Sequence, residues 1–334
     1  MSVSDIDIKN KTIKILKEAF FAYYSKAKKE TKHLVLDKLF PDERRTASYM
    51  SGLQTSLGTG FWEKLAKEIA ESNGFTVIPN NNLQMPNPVP TALKTMIDNA
   101  SNLSNFRTLL NTTFITANTS NLVSITKGKG SDLILSKNSN TYIFDIKTVQ
   151  VNANNGNSFF KTIVEWIAYY KYTTGLNANN IFAKYVFPYN SSNINNDASW
   201  WTDYGARISP VSQNEILVGN QFWSFISDNQ NALSKIIDGI NEVSADREFI
   251  DFFRQVFTVS NQDDLKQFSL KVKIKNLEWC KNITFDTLNN ITPLTGSKKY
   301  SWIHNANCQG RLKGSISDVT NKEIKCSICT FKIN

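Results

Sequence analysis

The sequence has few of the residues and motifs that several large enzyme classes require. Only two of its 334 residues are His, which leaves few candidates for His-dependent nucleophilic catalysis. It contains no Gly-x4-Gly-Lys-Ser/Thr loop for ATP phosphates and no glycine-rich dinucleotide fingerprint of the kind a cofactor-binding methyltransferase might show. No stretch approaches the roughly 20 apolar residues of a membrane helix. We therefore expect a cytoplasmic protein without a secretory signal or a membrane span.

Cysteine is also scarce, and its distribution is uneven. Of the four Cys, Cys280 stands apart, whereas the other three lie close to His304 near the end of the sequence. This is not the spread of a disulfide framework. The pairs His304-x3-Cys308 and Cys326-x2-Cys329 have the spacing of a structural tetrahedral Zn²⁺ site. The alternative is three incidental buried thiols.

The composition predicts a folded, basic protein. Hydrophobic residues make up 41% and charged residues 20%, which is too apolar for a disordered chain. The formal net charge of +9 favours a polyanionic partner, with nucleic acid as the first candidate. Lys and Arg residues surround the predicted zinc site. They could contact phosphates, or that segment could instead serve dimer contacts.

The hydrophobic pattern predicts a mixed chain of helices and short strands. We expect an N-terminal helical region over residues 1–58, a core over 59–260 and a C-terminal region over 261–334. Gly58 is predicted to end one helix, and Thr59 to cap the next. The remaining predictions are a helix over 91–112, a three-stranded antiparallel meander over 122–126, 132–136 and 142–148, a helix over 159–172, and strands over 181–187 and 268–277.

Two carboxylates and an ammonium group lie at the start of one predicted strand and at the end of the next. Asp132 begins one strand, and Asp145-Ile146-Lys147 ends the next. A hairpin of this length can bring the two aspartates together, and strand alternation places Asp145 and Lys147 on one face. Carboxylate oxygens are the ligands that Mg²⁺ prefers, and the Ile146 carbonyl can join them. Lys147 would sit where an attacking water is deprotonated or where charge grows on phosphate oxygens.

These residues, within their apolar flanks, resemble the PD-(D/E)XK nuclease signature, although Ser131 replaces its leading Pro. Two further segments, 44–66 and 145–168, resemble type II restriction endonucleases, in particular the TdeIII-type group. The resemblance implies an α/β fold with a mixed sheet flanked by helices, to which we add N-terminal helices and a small C-terminal zinc-binding tail. It also implies Mg²⁺-dependent hydrolysis of DNA phosphodiesters.

The resemblance further implies an acidic residue on the helix before the meander. By position Glu63 matches best, and Glu71 is the second candidate. The alternative for Glu63 is a solvated residue that pairs with Lys67 on the same helix face.

We therefore expect a sequence-specific type II endonuclease that cuts double-stranded DNA. A homodimer would match a palindromic site, and a cognate methyltransferase would be a separate protein. Two alternatives stay open: a zinc-containing DNA-binding protein without nuclease activity, and a repair or transposition nuclease with the same core.

Overall fold

The computed structural model describes most of the chain. The described residues are 2–26, 35–113, 121–125, 130–148, 156–208, 211–259 and 262–281, together with short strands between 292 and 333. The helices are α1 (Asp5–Tyr24), α2 (Leu36–Leu39), α3 (Pro41–Leu57), α4 (Lys64–Ser72), α5 (Thr91–Asp98), α6 (Leu103–Thr112), α7 (Gly156–Thr174), α8 (Ser199–Asp203), α9 (Asn220–Ser227), α10 (Ala232–Ala245), α11 (Arg247–Arg254) and α12 (Gln262–Lys281).

The strands are short, and most of them lie in the middle of the chain or near its end. They are β1 (Thr76–Ile78), β2 (Gln84–Pro86), β3 (Leu122–Ser124), β4 (Leu133–Lys137), β5 (Asn140–Ile146), β6 (Ile181–Phe187), β7 (Ile216–Val218), β8 (Thr292–Pro293), β9 (Lys299–Ile303), β10 (Arg311–Ser315), β11 (Ile324–Lys325) and β12 (Lys332–Ile333).

The chain forms two compact units. The first contains residues 1–15 and 57–241, and the second contains residues 16–56 and 242–334. The predicted division at residues 58 and 260 stays a prediction. Among the residues that the structure describes, no helix is both long and apolar enough to cross a membrane.

A five-stranded mixed sheet organises the first unit, with the strand order β1-β4-β5-β6-β7. The pairs β1–β4 and β4–β5 are antiparallel, whereas β5–β6 and β6–β7 are parallel. The parallel arrangement requires a crossover, and α7 supplies it between β5 and β6. The predicted mixed sheet flanked by helices is confirmed.

Helices cover both faces of this sheet, as strand alternation requires. Ile143 of β5 is fully buried in the core cluster that also contains the apolar side of α7. Its neighbours Tyr142 and Phe144 point to the opposite face, where their rings pack against Phe225 and Phe222 of α9 at 5.0 and 5.6 Å between centroids. The α4 helix packs against α9. The sheet is therefore the middle layer of three.

Three predictions for the first unit need correction. Gly58 does not end the helix, because the chain continues through a π-helical segment, Gly58–Glu63, directly into α4. The helix predicted over 91–112 is two helices, since the Asn102 side chain accepts the Asn105 N–H at 2.8 Å and starts α6. The meander has only two strands, because β1 occupies the free edge of β4 and β3 pairs with β2 instead.

In the second unit, the strand predicted over residues 268–277 is wrong, because these residues lie within the helix α12. Apolar residues at alternating positions suggested a strand. Four of the buried residues, Leu265, Phe268, Ser269 and Val272, instead follow the i, i+3, i+4, i+7 spacing of a helix, and the buried Leu270 widens this face. A short apolar run does not distinguish these two periods by itself.

Aromatic rings form the core of the second unit. Phe20 and Phe21 each make edge-to-face contacts with Phe249 and Phe253, with centroids 5.3 to 5.9 Å apart. Asp246 accepts the Phe249 N–H at 3.0 Å and so caps α11.

The core of the first unit leads to a matched test of burial. Leu93 of α5 is fully buried, whereas Leu109 of α6 is 47% exposed. We expect Leu93→Ala to lower the free energy of unfolding by about 2 to 5 kcal/mol, because it removes buried methyl groups and leaves a cavity. Leu109→Ala should change it by less than about 1 kcal/mol. Denaturant unfolding followed by tryptophan fluorescence measures both, and equal losses would contradict this core.

Candidate active site

The β4–β5 hairpin sets the geometry of the candidate site. Its two-residue turn, Asn138-Ser139, has φ angles of 52° and 62°, which is typical of a type I′ turn. The pairing then runs from Lys137↔Asn140 at the turn to Leu133↔Phe144 at the far end. Asp132 lies one residue beyond that last pair, and its N–H donates to the Phe144 carbonyl at 2.9 Å.

The carboxyl groups of Asp132 and Asp145 meet at this far end. Asp132 Oδ2 accepts the Ile146 N–H at 2.7 Å, which fixes the carboxylate against the end of β5. Asp145 follows Phe144, the cross-strand partner of Leu133, so it lies opposite Asp132, and the Asp132 side chain raises the pKa of the Asp145 carboxyl, which is only 7% exposed. Lys147 Nζ lies 2.5 Å from Asp145 Oδ1. The structure therefore brings together three of the predicted site residues.

Burial dominates the electrostatics of this pair. It raises the pKa of Asp145 from 3.8 to about 7, with a further contribution from Asp132 and an opposing one from Lys147. Two carboxylates in contact cannot both ionise at low cost unless a positive charge compensates them. The Lys147 ammonium provides part of that charge.

Glu63 approaches the pair from the π-helical segment. Burial and the charge of Asp132 raise the pKa of Glu63 from 4.5 to about 7, while a hydrogen bond with Thr59 opposes the shift. Glu71 is solvent-exposed and lies eight residues further along the helix, a rise of about 12 Å. The geometry therefore places Glu63, and not Glu71, near Asp132. π-helical turns are frequent at functional sites.

A cavity of about 330 Å³ opens beside these acids. Its walls carry carboxylate, ammonium and amide groups as well as apolar atoms. They come from Thr59, Glu63, Lys64, Lys67, Val77, Ile78, Pro79, Asn80, Asp132 and Leu133. Such a lining offers ammonium groups to an anion and carboxylate oxygens to a cation.

Several contributors to this site carry no signal in the sequence. Asn80 Nδ2 donates to the Asp132 carbonyl at 2.9 Å from 52 residues away. Tyr185 of β6 pairs in register with Asp145, and burial together with the Asp145 charge raises the pKa of its hydroxyl. In the sequence, nothing distinguishes Asn80 from other Asn residues in loops or Tyr185 from other Tyr residues in strands. Only the sheet topology brings them to the acids.

The donor atoms fit a divalent cation that prefers oxygen. Among the described residues, no group of three or more His, Cys, Asp and Glu is arranged to hold a metal ion. Asp132 and Asp145 form a pair, and Glu63 is a neighbour of that pair. Mg²⁺ commonly binds through one or two carboxylates and completes its shell with water and substrate phosphate. The pair thus matches the needs of Mg²⁺, and the Ile146 carbonyl stays a predicted ligand.

The predicted zinc ligands His304, Cys308, Cys326 and Cys329 lie outside the described residues. The zinc site therefore stays a prediction.

Comparison with known proteins identifies the family. The model of the HinfI family of type II restriction endonucleases matches residues 5–244, which is more than half of the chain and includes every described residue of the candidate site. No curated protein and no solved structure gives a significant match. The finer TdeIII-type assignment receives no support from this match and stays a prediction. Members of this family act on DNA, and the match covers most of the first unit and its sheet; the chain therefore belongs to the HinfI family of type II restriction endonucleases.

Proposed function

We propose that this endonuclease hydrolyses phosphodiester bonds of double-stranded DNA at a specific sequence, with Mg²⁺ held by Asp132 and Asp145. The observation that carries the proposal is the meeting of these two carboxylates with the Lys147 ammonium at one end of the hairpin. It lies within the part of the chain that the family model covers. The non-enzymatic alternative is not favoured, because the matched family consists of endonucleases.

Each side chain has a distinct part in this proposal. When bound, Mg²⁺ would neutralise phosphate charge and lower the pKa of coordinated water. The Ile146 N–H holds Asp132, so that one of its carboxylate oxygens is fixed in direction. Glu63 adds a third carboxyl beside the pair, and the Lys147 ammonium can donate to the phosphate oxygen on which charge grows.

The cavity beside Asp132 suits the DNA backbone. Lys64 and Lys67 line it together with Glu63 and Asp132, so ammonium groups are available to a phosphate that approaches the carboxylates. The net charge of +9 supports the same substrate. DNA binding should therefore depend steeply on salt.

The partners follow from the proposed reaction. A palindromic site is usually matched by a two-fold protein dimer, so we propose a homodimer. A cognate methyltransferase, as a separate protein, would protect the host's own sites. A repair or transposition nuclease with the same core would give a smear from plasmid DNA, whereas the proposed enzyme gives discrete fragments.

The catalytic assignment leads to paired measurements. Asp132→Ala, Asp145→Ala and Lys147→Ala should each reduce Mg²⁺-dependent cleavage of plasmid DNA by at least about 100-fold. Each Asp variant removes a carboxylate that would hold Mg²⁺, and Lys147→Ala removes the ammonium that would stabilise charge on the phosphate oxygen. Gel-shift affinity in Ca²⁺, which occupies similar oxygen sites, should persist in all three variants.

The control is Asp251→Ala, which changes an aspartate that is 63% exposed in the second unit. It should cut at the parental rate. Thermal melts must show that each variant folds. A folded Asp145 or Lys147 variant that cuts at the parental rate would contradict the assignment.

The raised pKa of Asp145 predicts how stability depends on pH. Because the folded-state pKa of about 7 lies above the usual 3.8, the folded protein holds more protons than the unfolded one between these values. Asp145 therefore costs stability progressively as the pH rises from about 4 to 7. We expect Asp145→Asn to raise the melting temperature of the metal-free protein more at pH 8 than at pH 5.

Mg²⁺ provides the second half of this test. It should raise the melting temperature of the parental protein at pH 8 and have a smaller effect at pH 5, where protons compete for the carboxylates. The Asp145→Asn variant should respond weakly at both values. A parental response that is the same at both values would contradict the cation site.

We also propose that the C-terminal segment holds one structural Zn²⁺ through His304, Cys308, Cys326 and Cys329. Their spacing supports this ligand set. Elemental analysis should find one zinc per chain, and Cys326→Ser should lower the zinc content and the melting temperature. Cys280→Ser is the control, because this Cys lies outside the motif, and its zinc content should match the parent. Metal-free protein of unchanged stability would rule out a structural role.

A further inference from the structure

The edge of the sheet that carries the candidate site also carries a second, unassigned feature. Because β5, β6 and β7 are parallel, their carboxyl ends meet at one edge. Lys147 directly follows β5, and its N–H donates to the Val186 carbonyl of β6 at 2.8 Å. The segment 188–198, which follows β6, therefore begins beside the proposed catalytic lysine. We call it the β6 loop.

The start of the β6 loop is attached to its surroundings by aromatic residues. The Trp223 indole N–H donates to the Pro188 carbonyl at 2.8 Å. The Tyr189 hydroxyl donates to the Thr148 carbonyl at 3.4 Å, one residue beyond Lys147. The Tyr189 ring also lies 5.5 Å from that of Trp62, which directly precedes Glu63. These contacts fix the direction in which the loop leaves the sheet.

The end of the loop is attached to α9. Asp197 Oδ2 accepts the Asn220 N–H at 2.8 Å, at the first turn of this helix. Gly219 makes this approach possible, because any Cβ at position 219 would collide with the Asp197 carboxylate. Its φ of +49° also favours glycine.

A buried amide closes the loop on itself. Asn190 is fully buried, and its Nδ2 donates to the Asn196 carbonyl and to Ser199 Oγ, both at 2.9 Å. Its Oδ1 accepts the Ser192 N–H at 3.1 Å and the Ser192 hydroxyl at 3.0 Å. Asn190 thus holds both sides of the loop at a fixed separation. These hydrogen bonds involve only groups of the protein itself.

The tip of this ordered loop, Asn193-Ile194-Asn195, is exposed. All three side chains face solvent, and the Ile194 side chain is 49% exposed although it is aliphatic. The β6 loop contains no Lys or Arg, so it adds no positive charge for the phosphate backbone. Its amides and its aliphatic side chain match the groups that base edges present. Asn can bind adenine through two hydrogen bonds, and apolar side chains contact the thymine methyl group.

We propose that the tip of the β6 loop reads A·T base pairs in the recognition sequence, with Asn193 and Asn195 binding adenine and Ile194 contacting a thymine methyl group. The inference rests on the proposed function, because it names the sequence determinant of the same nuclease. Rigid attachment at both ends lowers the entropy cost of binding and favours one register on the DNA. Because the loop starts beside Lys147, the frame that holds the tip is also attached to the proposed site of cleavage.

Binding selection tests the inference without cleavage. The full-length protein is incubated in Ca²⁺ with a pool of randomised duplexes, and the bound molecules are sequenced. We expect the parental protein to enrich a motif, and Asn193→Ala and Asn195→Ala to lose preference for adenine at one position each, by about 10- to 100-fold. Asn179→Ala is the matched control, because Asn179 is also exposed but precedes β6 at the opposite edge of the sheet. It should keep the parental motif.

The outcomes separate the inference from the proposed function. An unchanged motif in both tip variants overturns the inference, as does a parental protein that enriches no motif. Equal weakening for every sequence also overturns it, since this indicates backbone contacts. Cleavage of plasmid DNA in Mg²⁺ by the parental protein is scored separately and decides the proposed function. Melting temperatures that match the parent show that a lost preference reflects the missing amide.

Discussion

The register of the β4–β5 hairpin is the constraint on which the rest of the candidate site depends. Side chains alternate along a strand, so a slip of one residue would turn every side chain to the opposite face. The two-residue Asn138-Ser139 turn excludes such a slip, because both residues adopt positive φ values that suit this tight connection. The meeting of Asp132 and Asp145 is therefore determined at the opposite end of the hairpin from the acids themselves.

The parallel half of the sheet positions the remaining parts of the site relative to the hairpin. Parallel pairing collects the carboxyl ends of β5, β6 and β7 at one edge, and side chains from these ends can act together. The antiparallel half supplies Asp132 from β4 to the same edge. A mixed sheet thus combines a tightly registered acid pair with longer loops that can vary around it.

The sequence was sufficient to predict those site residues whose positions depend on local spacing along the chain. Asp132, Asp145 and Lys147 were identifiable because a short hairpin brings its two ends together whatever the remainder of the chain does. Glu63 required a resemblance to a known family, since its helix is joined to the hairpin only through tertiary packing. Asn80 and Tyr185 were not identifiable, because nothing in their neighbourhoods indicates which distant strand they face.

The errors in the fold have the same origin. The sequence indicates that β3 is a strand, but strand pairing is a long-range property, and β1 takes the position beside β4 that β3 was predicted to fill. The apolar alternation of Phe268, Leu270 and Val272 fits a strand within ten residues. The buried Leu265 shows the helical period only when the window is widened.

The attachment of the β6 loop has a consequence for how this endonuclease can diverge. Asn190 hydrogen-bonds with the loop backbone, Asp197 accepts from the first residue of α9, and Gly219 leaves room for the Asp197 carboxylate. A substitution at any of the three therefore disturbs the helix or the loop backbone. Asn193 to Asn195 are all exposed, so substitutions there remove less buried surface than substitutions in the frame. Natural selection can therefore vary the exposed tip at little cost to folding, while the frame around it stays fixed and keeps the start of the loop beside Lys147.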